Sequence, residues 1–217
     1  MTEDIVFKDL NDWIENSQMP NGKRNVLRAA IKLFAEQGYD GTSTAQIAQE
    51  SGMSQATIFK YFKTKDILLK AIIKPVITNL LPSYGSKFIA NVSNHSTNLK
   101  QMVHFIIRDR FDFLISNKSV VLIIISELLV NDDVKEMGMN FVNDKKEQFI
   151  SVIWKAMQET GELRDDIDLL YVLRTIASQL IFYFIQTQKL MINSTSESNI
   201  DKELDRIEVG VIKAISK

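Results

Sequence analysis

The chain has 217 residues, 24% of them charged, a formal net charge of -1 and no cysteine. A near-neutral protein cannot coat nucleic acid indiscriminately, because sequence-independent affinity comes from neutralised phosphates, so any such contact must be a local basic patch. Without cysteine there are no disulfides, thiolate metal sites or thiol catalysis, which fits a reducing cytoplasm.

Few breakers interrupt the sequence and no stretch alternates apolar with polar residues. Apolar positions recur instead at helical spacing, which predicts an all-α protein of about nine or ten helices. The first segment, Asp4–Asn16, sets Val6, Leu10, Trp13 and Ile14 on one stripe, and is either a short helix docked on the body or a frayed tail. After a break at Met19–Gly22, a helix over Lys23–Gln37 places Val26, Leu27, Ala30, Leu33 and Phe34 inward and stops at Gly38. Two short helices follow, Thr44–Ser51 and Gln55–Phe62. The first is capped by Ser43 with Gln46 as its capping-box partner, the second by Ser54. A fourth helix starts after Thr64, carries Asp66 in its first turn where the helix dipole favours it, kinks at Pro75 and ends by Pro82. A polar loop is expected over Ser83–Asn98. Longer helices follow over Leu99–Ser116, Val120–Asn131, Val134–Thr160, Ile167–Met191 and Ile200–Ile215, with Gly161 closing the third of these and a serine-rich loop at Asn193–Asn199. No internal repeat is evident.

The stretch from Thr42 to Phe62 carries the function. Ala48 is small where one short helix must cross the other, and Gly52 can take the left-handed backbone of a sharp turn. Ile47, Met53, Ile58 and Phe62 lock the pair onto the preceding long helix. The spacing of alanine, glycine and isoleucine is that of a DNA-binding helix-turn-helix. Here the sequence resembles one family specifically. Residues Val26–Leu69, with Phe34-Ala35-Glu36-Gln37-Gly38-Tyr39, Ile47-Ala48, Gly52-Met53-Ser54 and above all Ile58-Phe59-Lys60-Tyr61-Phe62-Lys63-Thr64-Lys65-Asp66, look like the DNA-binding domain of the TetR family of repressors. The resemblance covers about a fifth of the chain, and the helical remainder agrees in length and layout without a motif of its own.

The second short helix would then be the recognition helix. Ser54, Gln55, Thr57, Lys60 and Tyr61 can all donate to phosphates or base edges, with Gln55 and Thr57 the candidates for reading bases. Many family members have glycine where Ala56 stands and tyrosine at Phe59 or Lys60. Phe59 would meet a thymine methyl or simply pack, and Lys60 would strengthen backbone binding. Thr44 and Lys65, each at the start of a helix, are expected to clamp phosphates. Any one of these residues could equally lie on a solvated helix face, but charge supports the set. Residues 20–74 hold nine basic against four acidic residues, net +5, whereas the first nineteen are net -4. That acidic extension would compete with DNA or screen the patch.

The expected architecture is an N-terminal extension (1–20), a three-helix helix-turn-helix domain (21–66) and a larger helical effector-binding and dimerisation domain (67–217). Ile167–Met191 is apolar almost all round, and Ile200, Leu204, Ile207, Val211 and Ala214 form a seam. These two helices are expected to pair with their copies in a homodimer, as the resembled family does, through Leu173, Leu180, Phe184, Leu204, Ile207 and Val211; the alternative is a monomer core. Two recognition helices would read half-sites about 34–36 Å apart on double-stranded operator DNA. The resemblance also implies a small apolar or amphipathic effector among the aromatic-rich helices. Its candidate contacts are Phe105, Arg108, Phe113, Glu127, Phe141, Trp154 and Tyr183, although such stripes are more often plain core.

No enzyme is expected. His95 and His104 lack metal-ligand spacing, there is no Gly-rich phosphate loop, and Asp109 and Asp112 sit beside Arg108 and Arg110 as a surface ion-pair group. No cofactor is implied. Met1–Lys8 is acidic and unlike a signal peptide. The apolar runs Ser119–Val130 and Leu169–Ile185 contain Glu127, and Arg174 with Gln179, and are expected to fall short of a membrane span. The reading is a soluble cytoplasmic repressor, with activation or response to a protein partner as alternatives.

Overall fold

The computed structural model describes residues 14–15, 18–80, 88, 98–145, 151–190 and 197–217. The N-terminal stripe before Ile14, nearly all of the expected Ser83–Asn98 loop, the first part of the Asn193–Asn199 loop and residues 146–150 lie outside the described residues. Among the described residues there are ten α-helices and no strand, so the fold is all-α as expected.

These helices are α1 (Asn21–Gln37), α2 (Thr44–Ser51), α3 (Gln55–Tyr61), α4 (Lys65–Pro75), α5 (Leu99–Ser116), α6 (Lys118–Val130), α7 (Asp132–Lys145), α8 (Ser151–Glu159), α9 (Leu169–Lys189) and α10 (Glu197–Ile215). The described parts of the expected Val134–Thr160 helix are thus α7 and α8. Asp168 caps α9 by accepting from the Tyr171 amide at 2.7 Å, which sets its start. α4 ends at Pro75, but the chain stays helical beyond it. Proline cannot donate to the carbonyl four residues back, and the chain answers by widening into a π-helical turn over Val76–Leu80.

The chain divides into two compact units. One comprises residues up to Ser83 together with Ser116–Asp144, the other Tyr84–Ile115 with Lys145–Lys217. This departs from a division at residue 66. The reason is that α4 and α6 both pack on α1, burying Leu68, Leu69, Ile72 and Ile73 from α4 and Val120 and Ile123 from α6 beside Val26, Ala30, Ile31 and Phe34.

In the second unit α9 and α10 pack together. Its core is Met102, Val103, Ile107 and Phe111 of α5, Val172, Ile176, Leu180 and Phe184 of α9, and Leu204, Val211 and Ile215 of α10. Phe111 stacks on Tyr183 with centroids 5.2 Å apart. Burial raises the Tyr183 hydroxyl above its ordinary value, with Glu203 adding to the effect.

The seam expected for a partner is corrected here in part. Leu180, Phe184, Leu204 and Val211 are buried within a single chain, so they have no surface left to offer. Ile207 is half-buried and Leu173 exposed. The large apolar residues exposed on α9 are instead Leu170, Leu173, Ile181 and Phe182, with Leu170 66% and Phe182 59% exposed and Leu170 and Ile181 on one face, and Val209 is likewise exposed on α10. By length and hydropathy α9 is also apolar enough to cross a membrane. The expectation that this run falls short is corrected, because one arginine and one glutamine do not offset its Leu, Ile and Phe residues; core helices of soluble proteins meet the same measure.

Candidate nucleic-acid interface

The helix-turn-helix is built from local signals that agree with one another. Ser43 Oγ accepts from the Gln46 amide at 3.2 Å while Gln46 Oε1 accepts from the Ser43 amide at 2.7 Å, a complete capping box. Gly52 ends α2 in the left-handed region, φ 67° and ψ 19°. A Cβ added there would meet nothing within 4 Å, so the requirement for glycine is conformational rather than steric. Ser54 then caps α3 by accepting from the Thr57 amide at 3.1 Å. Ile47 and Ile58 are buried beneath the two helices. The Lys32 ammonium, 2.7 Å from Glu50, ties α1 to α2.

Held this way, α3 turns Gln55, Ala56, Phe59 and Lys60 to solvent. Phe59 is 43% exposed, so the alternative in which it simply packs is set aside. Gln55 and Phe59 are four residues apart, as are Ala56 and Lys60, so the four form one face. Ser54 is exposed and Thr44 and Tyr61 are half-buried. The Thr57 hydroxyl lies 2.9 Å from Ser54 Oγ; it completes the cap, which leaves it less available to a base than Gln55. A Cβ on Gly22 would lie 3.2 Å from the Tyr61 hydroxyl, which places that hydroxyl at the start of α1.

Lys65 does not stand as a phosphate clamp. Its ammonium donates to the carbonyls of Tyr39 at 2.8 Å and Thr42 at 3.0 Å and lies 4.0 Å from the centre of the Tyr39 ring. Thr42, buried, donates to the Gly38 carbonyl at 2.8 Å. Lys65 therefore braces the turn that leads into α2. Sequence reasoning missed this because the partners lie more than twenty residues away. It also left Lys63 out of the contact set, although Lys63 is exposed one residue beyond the end of the motif. Among the described residues Lys60, Lys63 and Lys74 make no ion pair.

The residues proposed to line an effector pocket fall in both units. Glu127 and Phe141 belong to the first unit, the other five to the second. Glu127 is 3% exposed. Burial raises its carboxyl above the ordinary 4.5, Asp40 and Asp66 push the same way, and a hydrogen bond with Asn131 and the charge of Lys65 oppose it. It thus faces the charged side chains of the DNA-binding head. An acid raised on folding holds more protons folded than unfolded, so its stability cost grows as pH rises through and above the ordinary carboxylate value. Glu127→Gln is expected to raise the melting temperature near neutral pH. The gain should shrink as pH falls toward about 4.5; a gain equal at all pH values would contradict this assignment.

In the second unit Arg108 pairs with Asp201 and Asp205 of α10, which uses its charge within the fold and corrects its assignment to a cavity. The cation set among rings is Arg110, 3.7 Å from the centre of Phe88 and 5.2 Å from that of Phe113. Burial lowers the Arg110 guanidinium from its usual value, against the raising effect of its partner Asp109. Phe88 stacks on Phe105 at 6.0 Å. Trp154 is half-buried on α8. A recess of about 590 Å³ is lined by Asn98, Lys100, Gln101, His104, Phe105 and Glu208, with His104 Nδ1 2.7 Å from Glu208 Oε2. Of the seven expected residues Phe105 lines it. No group of three or more His, Cys, Asp or Glu suited to a metal occurs among the described residues.

Residues 26–72 match the model of the bacterial regulatory proteins of the tetR family. Those residues are a DNA-binding domain of the TetR family. The chain's similarity extends beyond that domain. It is 25% identical over 175 residues to the nucleoid occlusion factor SlmA of Mannheimia succiniciproducens, covering 78% of this chain and 76% of that protein. It is 23% identical over 172 residues to the HTH-type transcriptional repressor NicS of Pseudomonas putida, covering 78% and 79%. In fold it is similar to the fatty acid degradation regulator FadR of Bacillus halodurans, with a TM-score of 0.64 at 14% identity over 90% of this chain and 97% of that one. With that domain the chain is a DNA-binding transcriptional regulator and not an enzyme.

Proposed function

We propose that this protein is a dimeric cytoplasmic repressor of the TetR family. Two copies of α3 hold a palindromic operator, and a small apolar or amphipathic molecule releases it. The observation that carries the DNA-binding part is the exposed face of α3, where Gln55, Phe59 and Lys60 project from a helix fixed by Ser54 and Ile58. Gln55 would read a base edge, Phe59 a thymine methyl, and Lys60 and Lys63 the phosphates, with Ser54, Thr44 and Tyr61 adding backbone contacts. DNA contacts fall within residues 21–66, and the remainder supplies dimerisation and sensing.

The dimer is supported by the exposed apolar residues of α9. Residues Leu170, Leu173, Ile181 and Phe182 are too many large apolar side chains to leave in water without a partner. One short recognition helix also reads too few bases alone, and a two-fold supplies the second half-site. The effector is supported by the aromatic group of the second unit, where Arg110, Phe88, Phe105 and Phe113 join a cation to apolar surface.

Genome-wide recovery of the DNA bound by the protein tests this reading. The expected site is a palindrome whose half-sites lie about 34–36 Å apart or a multiple of that. An asymmetric site, or no enriched site, would contradict it. Thermal-shift screening of amphipathic compounds should then find one that weakens operator binding by about 5- to 150-fold.

A further inference from the structure

Ile14 and Glu15 lie just upstream of α1 and are held there in two ways. Ile14 is 1% exposed. The Glu15 carboxylate pairs with both Arg24, at 3.2 Å, and Arg28. Arg24 also donates from Nε to the Met19 carbonyl at 3.1 Å. Both arginines lie on the first two turns of α1, which begins beside the end of the recognition helix. A Cβ on Gly22 would come within 3.2 Å of Met53 Sδ and the Tyr61 hydroxyl, and the Lys23 ammonium is 5.3 Å from the centre of the Phe62 ring. Upstream of Ile14 the sequence adds Glu3, Asp4, Asp9 and Asp12 against Lys8.

We propose that the acidic N-terminal segment competes with DNA within the molecule. Glu15, seated on Arg24 and Arg28, keeps two cations of the DNA-binding head from phosphates until a duplex displaces it. This rests on the DNA-binding reading above. The head's positive charge is already heavily committed, since Lys32 is paired with Glu50 and Lys70 with Asp66 and Asp133, and Lys65 donates to carbonyls. Arg24 and Arg28 are therefore the largest reserve of cations that a single displaced acid could release. The pairs with Glu15 are partly exposed, with the three side chains 23%, 44% and 43% accessible. Such pairs are weak and screened, whereas duplex DNA carries a charge about every 1.7 Å along its axis. The duplex wins the exchange but at reduced net affinity, which limits adhesion to arbitrary DNA.

The test is binding to a mixed-sequence duplex across a range of salt for three proteins: the full chain, Glu15→Gln, and a chain lacking residues 1–12 that keeps Ile14 and Glu15. Glu15→Gln is expected to bind several-fold tighter at low salt. Its salt slope should steepen by about 0.9 for each arginine that gains a phosphate. The shortened chain should also bind tighter, through loss of acidic repulsion. Unchanged affinity and slope in both variants would overturn the inference. So would weaker binding with a lowered melting temperature in Glu15→Gln, because the carboxylate would then be a prop for α1. A gain confined to the shortened chain overturns the part assigned to Glu15. If none of the three proteins binds duplex, the DNA-binding reading itself fails, and the inference with it.

Discussion

Phe34→Ala is expected to cost about 3–5 kcal/mol of stability, the usual range for removing a fully buried aromatic ring. Phe34 sits on the inner face of α1, where α2, α4 and α6 also pack, and is among the largest fully buried side chains. Its ring meets that of Tyr39 edge-on at 5.3 Å. Tyr39 in turn supplies one of the two carbonyls that hold Lys65, so the cavity would open beneath the turn that sets α2. Domains of ordinary stability hold about 5–15 kcal/mol in total; the variant should be marginal at best. Urea denaturation followed by circular dichroism measures the loss. A cost below about 1 kcal/mol, within the range of a surface change, would show that the head is not organised around this ring.

Leu170→Glu with Ile181→Glu, which share one face of α9, is expected to turn the proposed dimer into a monomer without unfolding it. Both side chains are exposed in the single chain, so the replacements cost little when the subunit is alone. In a two-fold interface they would bring four new carboxylates into a desolvated patch. Losing an apolar anchor of this kind costs about 2 kcal/mol or more, which is more than tenfold in the dissociation constant for one site alone. Operator affinity should fall by a further 10²-fold or so, because two linked half-sites gain at least that over one. Sedimentation gives the mass and band shifts the affinity. A double variant that sediments as a dimer would place the interface elsewhere and leave the apolar face of α9 without its proposed cover.

Local signals were legible in the sequence where the physics is local. Ser43, Ser54 and Thr64 cap the three helices they precede, each accepting from an amide three residues on. Gly52 takes the left-handed turn for which its place in the motif called. Periodicity also found the apolar stripe of α1 and its inward direction. It could not give a direction where a helix is apolar all round. On α9, apolar on most sides, the stripe through Leu180 and Phe184 faces the chain's own core and the one through Leu170 and Ile181 faces out, and nothing within the helix distinguishes them. Long-range pairing was hidden for a related reason. Arg108 and Arg110 are two residues apart in sequence, yet one meets acids on α10 and the other lies between aromatic rings. Glu127, taken as a candidate for an effector cavity, joins the DNA-binding unit because the chain returns to it after α5.

The most direct measurement is duplex binding by Gln55→Ala with Phe59→Ala and Lys60→Ala, on the operator recovered from the genome. All three side chains are exposed and outside the core, so circular dichroism and melting should match the parent chain. The predicted result is loss of the preference for the operator over mixed-sequence DNA, with the salt slope lowered by about 0.9 for the missing Lys60 contact. Full operator affinity in this folded variant would mean that α3 does not enter a DNA groove.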